Sequence, residues 1–183
     1  MKSTVDGSIG QPIQGFSDCH VGIVGMLDEL RTLGRQQDAT PQRAEVAGRI
    51  LQFFRDVVLV QHQEEEAELF SAVLADARPG DERLQVETMV QRLVGEHRLV
   101  EAMYAQLSST LVAIEDGRDV ALDAAATEKL AAGYLAHARF EEEVFLPLAQ
   151  TILGRNSDHM AALGLALHIR HAVDELRHRF GSI

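Results

Sequence analysis

The sequence lacks tryptophan and contains only four prolines and a single cysteine, Cys19, among its 183 residues. One cysteine excludes an intramolecular disulfide and favours a reducing compartment. No apolar run reaches the roughly 18–20 residues of a membrane-spanning helix, and the polar start, MKSTVDGSIGQPIQG, is unlike a secretory signal. We therefore expect a cytoplasmic protein without a membrane partner.

Basic residues are also scarce. The chain has 17 Lys and Arg against 28 Asp and Glu, which gives a net charge of −11. Because nucleic acids and anionic membranes are bound through basic patches, this balance argues against both as partners. Hydrophobic residues make up 46% of the chain, enough for one folded domain with a real core.

The hydrophobic pattern predicts helices and no strands, because no stretch shows the alternation typical of a strand. Capping and breaking residues predict five helices, which run from Ser17 or Asp18 to about Gln37, from Pro41 after Thr40 to about Ala77, from Asp81 to about Glu115, from about Val120 to Gln150, and from Ser157 or Asp158 to about Phe180. Pro147 is expected to kink the last turn of the fourth helix.

Long helices joined by short loops pack as antiparallel neighbours. We therefore predict an all-α fold whose centre is an up-down-up-down four-helix bundle at residues 16–155. An irregular N-terminal leader at 1–15 precedes it, and an accessory C-terminal fifth helix at 156–183 belongs to the same domain.

Four of the eight histidines fall singly on the first four predicted helices, each in an apolar stripe: His20, His62, His97 and His137. One histidine on an apolar face is more often a core residue than a ligand. Four at the same level of a bundle would leave several ring nitrogens without partners, at ~1–3 kcal/mol each. A bound metal ion would satisfy them.

Three of these histidines are followed by a glutamate four positions later, in the pairs His62 and Glu66, His97 and Glu101, and His137 and Glu141. Residues at this spacing share one helical face, so both side chains can reach one cation or bridge two. Imidazole combined with carboxylate suits iron, manganese or zinc better than calcium.

Two of the pairs lie in glutamate runs, HQEEEAELF at 62–70 and HARFEEEVF at 137–145. The only offset from the histidine that both runs share is four, which selects Glu66 and Glu141 as the inward-facing residues. Glu65 remains an alternative, since its direction also falls near the apolar stripe, and Glu64 is assigned to solvent.

The same spacing recurs on the predicted fifth helix at His171 and Glu175. There the pair and His178 lie opposite the apolar face, so we interpret them as solvated. His159 and His168 are interpreted as structural. The direction in which a side chain points, more than the spacing, therefore separates the two classes of histidine.

As a set, His20, His62-x-x-x-Glu66, His97 and His137-x-x-x-Glu141, together with the flanking EHRLVEAM and HARFEEEVFLPL, resemble the hemerythrin-like HHE cation-binding domain over roughly residues 16–150. The resemblance implies a non-haem site with two iron ions joined by an oxo or hydroxo bridge, with Mn or Zn as alternatives. It further implies that His20 and His62 bind one iron, that His97 and His137 bind the other, and that Glu66 and Glu141 bridge them.

The chain departs from the oxygen-carrying hemerythrins on the third helix. Those proteins have two histidines one turn apart, whereas here Leu93 precedes His97 and Glu101 follows it. Glu101 either binds metal or pairs with Arg98 or Arg139. The added carboxylate favours ferric iron and argues against simple reversible O₂ carriage.

Two tyrosines, Tyr104 and Tyr134, also fall on the site-facing stripes. The sequence leaves open whether they pack in the core or contact the ligands.

We expect a di-iron protein that binds or senses a small ligand such as O₂, NO or peroxide, or that handles iron. The alternative is a di-iron enzyme that turns over peroxide, oxidises ferrous iron or donates iron for Fe–S repair. The sequence contains no dedicated acid–base residue beyond the candidate ligands, and it identifies no protein partner. A third reading is a structural bundle whose four histidines are coincidental.

Overall fold

The computed structural model describes residues 12–36 and 40–155, which form helices and short connections. The four helices are α1 (Pro12–Arg35), α2 (41–76), α3 (Asp81–Glu115) and α4 (124–153). No strand occurs within these two ranges. The predicted fifth helix lies outside the described residues, with the histidines and the glutamate assigned to it: His159, His168, His171, Glu175 and His178.

Helix α2 begins as the sequence predicts. The hydroxyl of Thr40 accepts a hydrogen bond from the backbone N–H of Arg43 at 3.1 Å, and Pro41 occupies the first helical position. Thr40 therefore caps the helix, and the proline has no N–H that would be left unsatisfied there. The bounds of α3 also agree with the prediction.

Two helix starts differ from the prediction. Helix α1 is already helical at Pro12, the first described residue, rather than starting at Ser17 or Asp18. Helix α4 begins at Ala124 rather than near Val120, since the carboxylate of Asp123 caps the helix by accepting two backbone N–H groups.

Helices α2 and α4 contain wider, π-helical turns within otherwise continuous helical backbone. They lie at Phe54–Val58 and Glu65–Leu69 in α2 and at Glu141–Phe145 in α4. Two of them thus begin at a glutamate in one of the two glutamate runs. π-Helical turns inside α-helices are frequent at functional sites. Pro147, for which a kink is predicted, stands two residues after the last of these turns.

The four helices form a bundle in which α1 and α3 each contact both α2 and α4. The buried apolar residues form two clusters, one containing Val58, Val100 and Tyr134 and the other containing Leu69, Leu93 and Phe145. Along α2 and α3, His62 and His97 lie between the residues of the first cluster and those of the second. On α4, His137 directly precedes Ala138, the last buried residue of the first cluster in that helix. The histidine layer therefore separates two halves of the core.

Within the described part of the chain, no helix combines the length and the hydrophobicity that crossing a membrane requires.

Candidate metal centre

Three histidines from three helices meet in the middle of the bundle. His62 of α2, His97 of α3 and His137 of α4 each offer a ring nitrogen, and these atoms lie within 4.8 Å of one another. All three residues are at most 1% exposed. The rings of His62 and His97 stack with centroids 3.9 Å apart, and the ring of His137 meets that of His97 edge-on at 4.8 Å.

A second group of donor atoms lies beside the first. It contains His20 of α1, Glu65 of α2 and Glu141 of α4, again with one donor atom from each residue within 4.8 Å of the others. The two carboxylates are fully buried, and His20 is 5% exposed. All four helices thus contribute donors to the interior.

The two buried carboxylates connect the groups. Oε2 of Glu141 lies 3.4 Å from Nε2 of His20 and 3.5 Å from Nε2 of His137. Oε2 of Glu65 lies 3.2 Å from Nε2 of His97. Each carboxylate belongs to the second group and also reaches a histidine of the first, which is the placement a ligand shared by two cations would need.

Every histidine of the site has a carboxylate at its other ring nitrogen. Nδ1 lies 2.8–3.2 Å from a glutamate oxygen in each of the pairs His20 with Glu142, His62 with Glu101, His97 with Glu66, and His137 with Glu96. Because a carboxylate accepts, Nδ1 donates its hydrogen and leaves the lone pair on Nε2. This arrangement orients an imidazole and raises its basicity towards a metal ion.

The interior ends of these side chains include polar atoms without hydrogen-bond partners in the described part of the chain. These atoms are Nε2 of His62, His97 and His137, Oε2 of Glu65, and both carboxylate oxygens of Glu141. A buried polar atom without a partner costs about 1–3 kcal/mol, and more when it is charged. Nitrogen and oxygen lone pairs that converge in a water-poor interior suit a transition-metal cation. The residues therefore fit the metal ions that the spacing of histidine and glutamate suggests.

Arginines hold the outer carboxylates in place. Arg98 donates to Glu66 at 2.6 Å and to Glu101 at 2.9 Å, so one guanidinium anchors the partners of two histidines. Arg92 donates to Glu96 at 2.7 Å, and its guanidinium lies 3.6 Å from the centroid of Phe140. At His62, His97 and His137, the order from outside to inside is therefore arginine, glutamate, histidine.

The electrostatics differ from one histidine of the site to the next. Burial, together with the nearby His97 and His137, lowers the pKa of His62 to about 2, which keeps its imidazole neutral. Burial also lowers the pKa of His20, but Glu141 and Glu142 outweigh it and raise that pKa to about 9. Burial also lowers the pKa of His137, whereas at His97 burial is outweighed by the carboxylates of Glu65 and Glu66, which raise the pKa. The buried carboxylates of Glu65 and Glu141 could supply the negative charge that balances a cation.

Burial, followed by the proximity of Glu141, raises the pKa of Glu65 to about 7. Two carboxylates held close together in a water-poor interior repel each other unless a proton or a cation lies between them.

The structure corrects which glutamate of the first run faces the interior. Glu65 is fully buried among the donor atoms, whereas the Glu66 side chain is 24% exposed and accepts from Nδ1 of His97 and from Arg98. Glu64, which the sequence assigns to solvent, is only 5% exposed. Counting a common offset fails because the inward glutamate stands three positions after the histidine in α2 but four positions after it in α4.

The remaining predicted residues are placed as follows. Glu101 pairs with Arg98, one of the two alternatives for it, and contacts Nδ1 of His62. The histidines are grouped as three and one, rather than in the two pairs that the resemblance implies. Tyr104 stacks on Phe54 with ring centroids 4.3 Å apart, away from the donors.

Sequence reasoning missed Gln61, which is 4% exposed and lies at the centre of the second group. Its side-chain nitrogen is 2.8 Å from Oε1 of Glu65 and 3.0 Å from Nε2 of His20. Its oxygen accepts from the hydroxyl of Tyr134 at 3.2 Å, so Tyr134 contacts the site through the glutamine. The only sequence signal was the spacing of four between Gln61 and Glu65.

The model of the hemerythrin HHE cation binding domain matches residues 11–149. The chain belongs to this family. The match spans all four helices and both groups of donor atoms, and it begins next to the observed start of α1. Comparisons with curated proteins and with solved structures gave no match. This HHE domain therefore carries a cation-binding fold whose interior holds two adjoining sets of His and Glu donors.

Proposed function

We propose that this HHE domain binds a pair of iron ions and uses them to bind or sense a small ligand such as O₂, NO or peroxide, or to handle iron. The observation that carries the proposal is the set of buried Nε2 and carboxylate atoms without hydrogen-bond partners between the two halves of the core. In this proposal His62, His97 and His137 hold one ion and His20 holds the other, while Glu65 and Glu141 serve both.

The sequence suggests Glu66 and Glu101 as metal ligands. In this proposal they instead lie outside the donor atoms and orient two of the histidines. Their carboxylates accept from Nδ1 of His97 and His62, and Arg98 holds both of them. Orienting carboxylates of this kind fix the histidine tautomer and strengthen the imidazole as a donor. When bound, iron would supply coordination and one-electron chemistry that the side chains themselves lack.

A groove supports a small-ligand role. A space of about 670 Å³ opens between α1 and α4, and its lining includes His20, Glu142 and Ala136. It reaches the second donor group, where only one histidine contributes. A small molecule could approach the candidate centre there without separating the helices.

We also infer that the four helices alternate in direction. Consecutive helices are neighbours in the bundle, and short connections join them. Short connections force antiparallel packing of long helices. In this topology the middles of the four helices lie at one level of the bundle, where the histidines come together.

Metal analysis tests the proposal. Protein loaded with ferrous iron without oxygen and then desalted should retain about two irons per chain. His62→Ala should lose at least one of them, whereas Arg118→Ala, a change of an exposed residue in the turn after α3, should retain both. A wild-type protein that binds less than about half an iron per chain, and no other metal, would contradict the proposal.

The enzyme alternative gives a different result with the same loaded protein. A binder or sensor reacts with peroxide once per metal centre and stops, whereas an enzyme consumes peroxide over many turnovers. We favour the binder because the described carboxylates around the candidate centre are taken up as donors or as partners of Nδ1. Sustained turnover, abolished in His62→Ala, would favour the enzyme.

A further inference from the structure

Gln61 has an unusual environment for an amide. It is 4% exposed and touches three groups of the interior: Tyr134, Glu65 and His20. None of the three contacts is with the backbone, so the amide does not contribute to the helix hydrogen bonds. Its side-chain nitrogen instead contacts two residues of the second group, Glu65 and His20.

The contacts fix which end of the amide faces the donors. The Tyr134 hydroxyl donates to Oε1 of Gln61 at 3.2 Å, which directs Nε2 towards Oε1 of Glu65 at 2.8 Å. The reversed amide would turn its oxygen towards a carboxylate oxygen. An amide nitrogen has two hydrogens, and the second points towards Nε2 of His20, 3.0 Å away.

The second hydrogen of the Gln61 amide points at the ring nitrogen of His20 that a cation would bind. Nδ1 of His20 donates to Glu142 at 2.8 Å, so Nε2 is the atom of this ring that can offer a lone pair to a cation. If Nε2 binds a cation, its lone pair is used and it can no longer accept from Gln61. One N–H of the buried Gln61 amide then lacks a hydrogen-bond partner beside the bound cation, which costs free energy.

We propose that Gln61 is the hydrogen-bond donor for a small ligand bound at the His20 side of the centre, with Tyr134 as the residue that positions its amide. The inference rests on the proposed function, since it needs the metal pair. It identifies the ligand class as a small molecule with an acceptor atom at its metal-binding end. An apolar diatomic that accepts weakly would gain little from Gln61.

Azide is a suitable probe, because it binds ferric iron and its terminal nitrogens accept hydrogen bonds. Iron-loaded, oxidised protein is titrated with azide and followed by visible absorption, and the azide stretching band is recorded in H₂O and in D₂O. The variants are Gln61→Leu, which removes the donor, and Tyr134→Phe, which frees the amide to rotate. Gln52→Leu, at an exposed position of the same helix, is the matched control.

Gln61→Leu should retain the iron content of the wild type but weaken azide binding about tenfold, as expected for one hydrogen bond to a charged acceptor. The shift of the azide band between H₂O and D₂O should disappear in the same variant. Tyr134→Phe should weaken binding roughly threefold, and Gln52→Leu should change neither quantity. A purely structural role for Gln61 would not produce the isotope-sensitive band.

Unchanged azide affinity and an unchanged isotope shift in iron-replete Gln61→Leu would overturn the inference. If Gln61→Leu loses iron, the decision passes to Tyr134→Phe, where weaker azide binding supports the proposal and wild-type binding rejects it. A wild-type protein that takes up no iron would defeat the proposed function itself. That result differs from iron uptake with an azide affinity that Gln61→Leu leaves unchanged, which would overturn the inference alone.

Discussion

The carboxylate of Glu66 accepts a hydrogen bond from Nδ1 of His97 over 2.8 Å. The adjacent Glu65 places Oε2 3.2 Å from Nε2 of the same ring. Two consecutive glutamates therefore lie at opposite nitrogens of one imidazole. Glu66 contacts the ring from outside the layer of donor atoms, and Glu65 contacts it from within that layer. This arrangement assigns them different roles, although the sequence presents them as equivalent members of one acidic run.

Glutamine substitutions should separate the two roles. Glu65→Gln replaces a carboxylate shared by both donor groups with a neutral amide, so we expect the loss of at least one iron per chain. Glu66→Gln keeps the iron content but should weaken iron binding by roughly 10- to 100-fold, as is usual for the outer partner of a ligating histidine. Competition with a chromophoric chelator measures both effects. Loss of iron from Glu66→Gln with full retention in Glu65→Gln would reverse the assignment.

Arg98→Ala should weaken iron binding modestly. Arg98 anchors Glu66 and Glu101, but its side chain is 56% exposed, so the effect should stay below about fivefold. The same chelator competition at low and at high salt tests this, and the difference from wild type should shrink in high salt. Arg118→Ala is the matched control, because Arg118 is similarly exposed and pairs with Asp116 in the turn after α3. Equal effects of the two variants would contradict the anchoring role.

Phe145 and Val144 provide a neighbouring pair for a stability test. Phe145 is fully buried against Phe70, with ring centroids 5.1 Å apart, whereas Val144 is 38% exposed. We expect Phe145→Ala to lower the free energy of unfolding by about 3–5 kcal/mol and Val144→Ala to change it by about 0.5 kcal/mol or less. Urea unfolding of the metal-free protein measures both, and a small effect of Phe145→Ala would contradict the packing of this half of the core.

The acid stability of the domain should depend on Glu82. Hydrogen bonds from Arg155 and from the backbone of Arg78 lower the pKa of Glu82 from 4.5 to about 2. Since the folded-state pKa is depressed, this contribution is fully present above about pH 4.5. It is lost as the pH falls through about 2.

Comparing urea unfolding of wild type and Glu82→Gln checks the sign. Both should be measured without metal across that pH range. The stability advantage of the wild type should narrow as the pH falls, and an advantage that grows towards low pH would contradict the assignment. The effect should be small, because solvent screens the exposed pair.

The helices and their histidines could be predicted from the sequence because both depend on local rules. Thr40 and Pro41 mark the start of α2, and the 3.6-residue period places His62, His97 and His137 on apolar faces. These signals require no knowledge of the neighbouring helices. The match to the hemerythrin HHE cation binding domain confirms the family that the motifs suggest.

The choice between Glu65 and Glu66 could not be made locally. Both residues point near the apolar stripe, and the outcome depends on Arg98 and His97 of α3, which draw Glu66 outwards. Gln61 was missed for a different reason. A glutamine in a sequence does not by itself indicate a metal site. The role of Gln61 depends on its contacts with Tyr134 and His20, which belong to other helices.

The position of the metal tests the central claim most directly. A crystal of the iron-loaded protein, measured at the iron absorption edge, should contain two anomalous peaks per chain. One should lie at Nε2 of His62, His97 and His137 and the other beside His20, with Glu65 and Glu141 contacting both. A single peak, or peaks bound by Glu66 or Glu101 while Glu65 points away, would contradict the account.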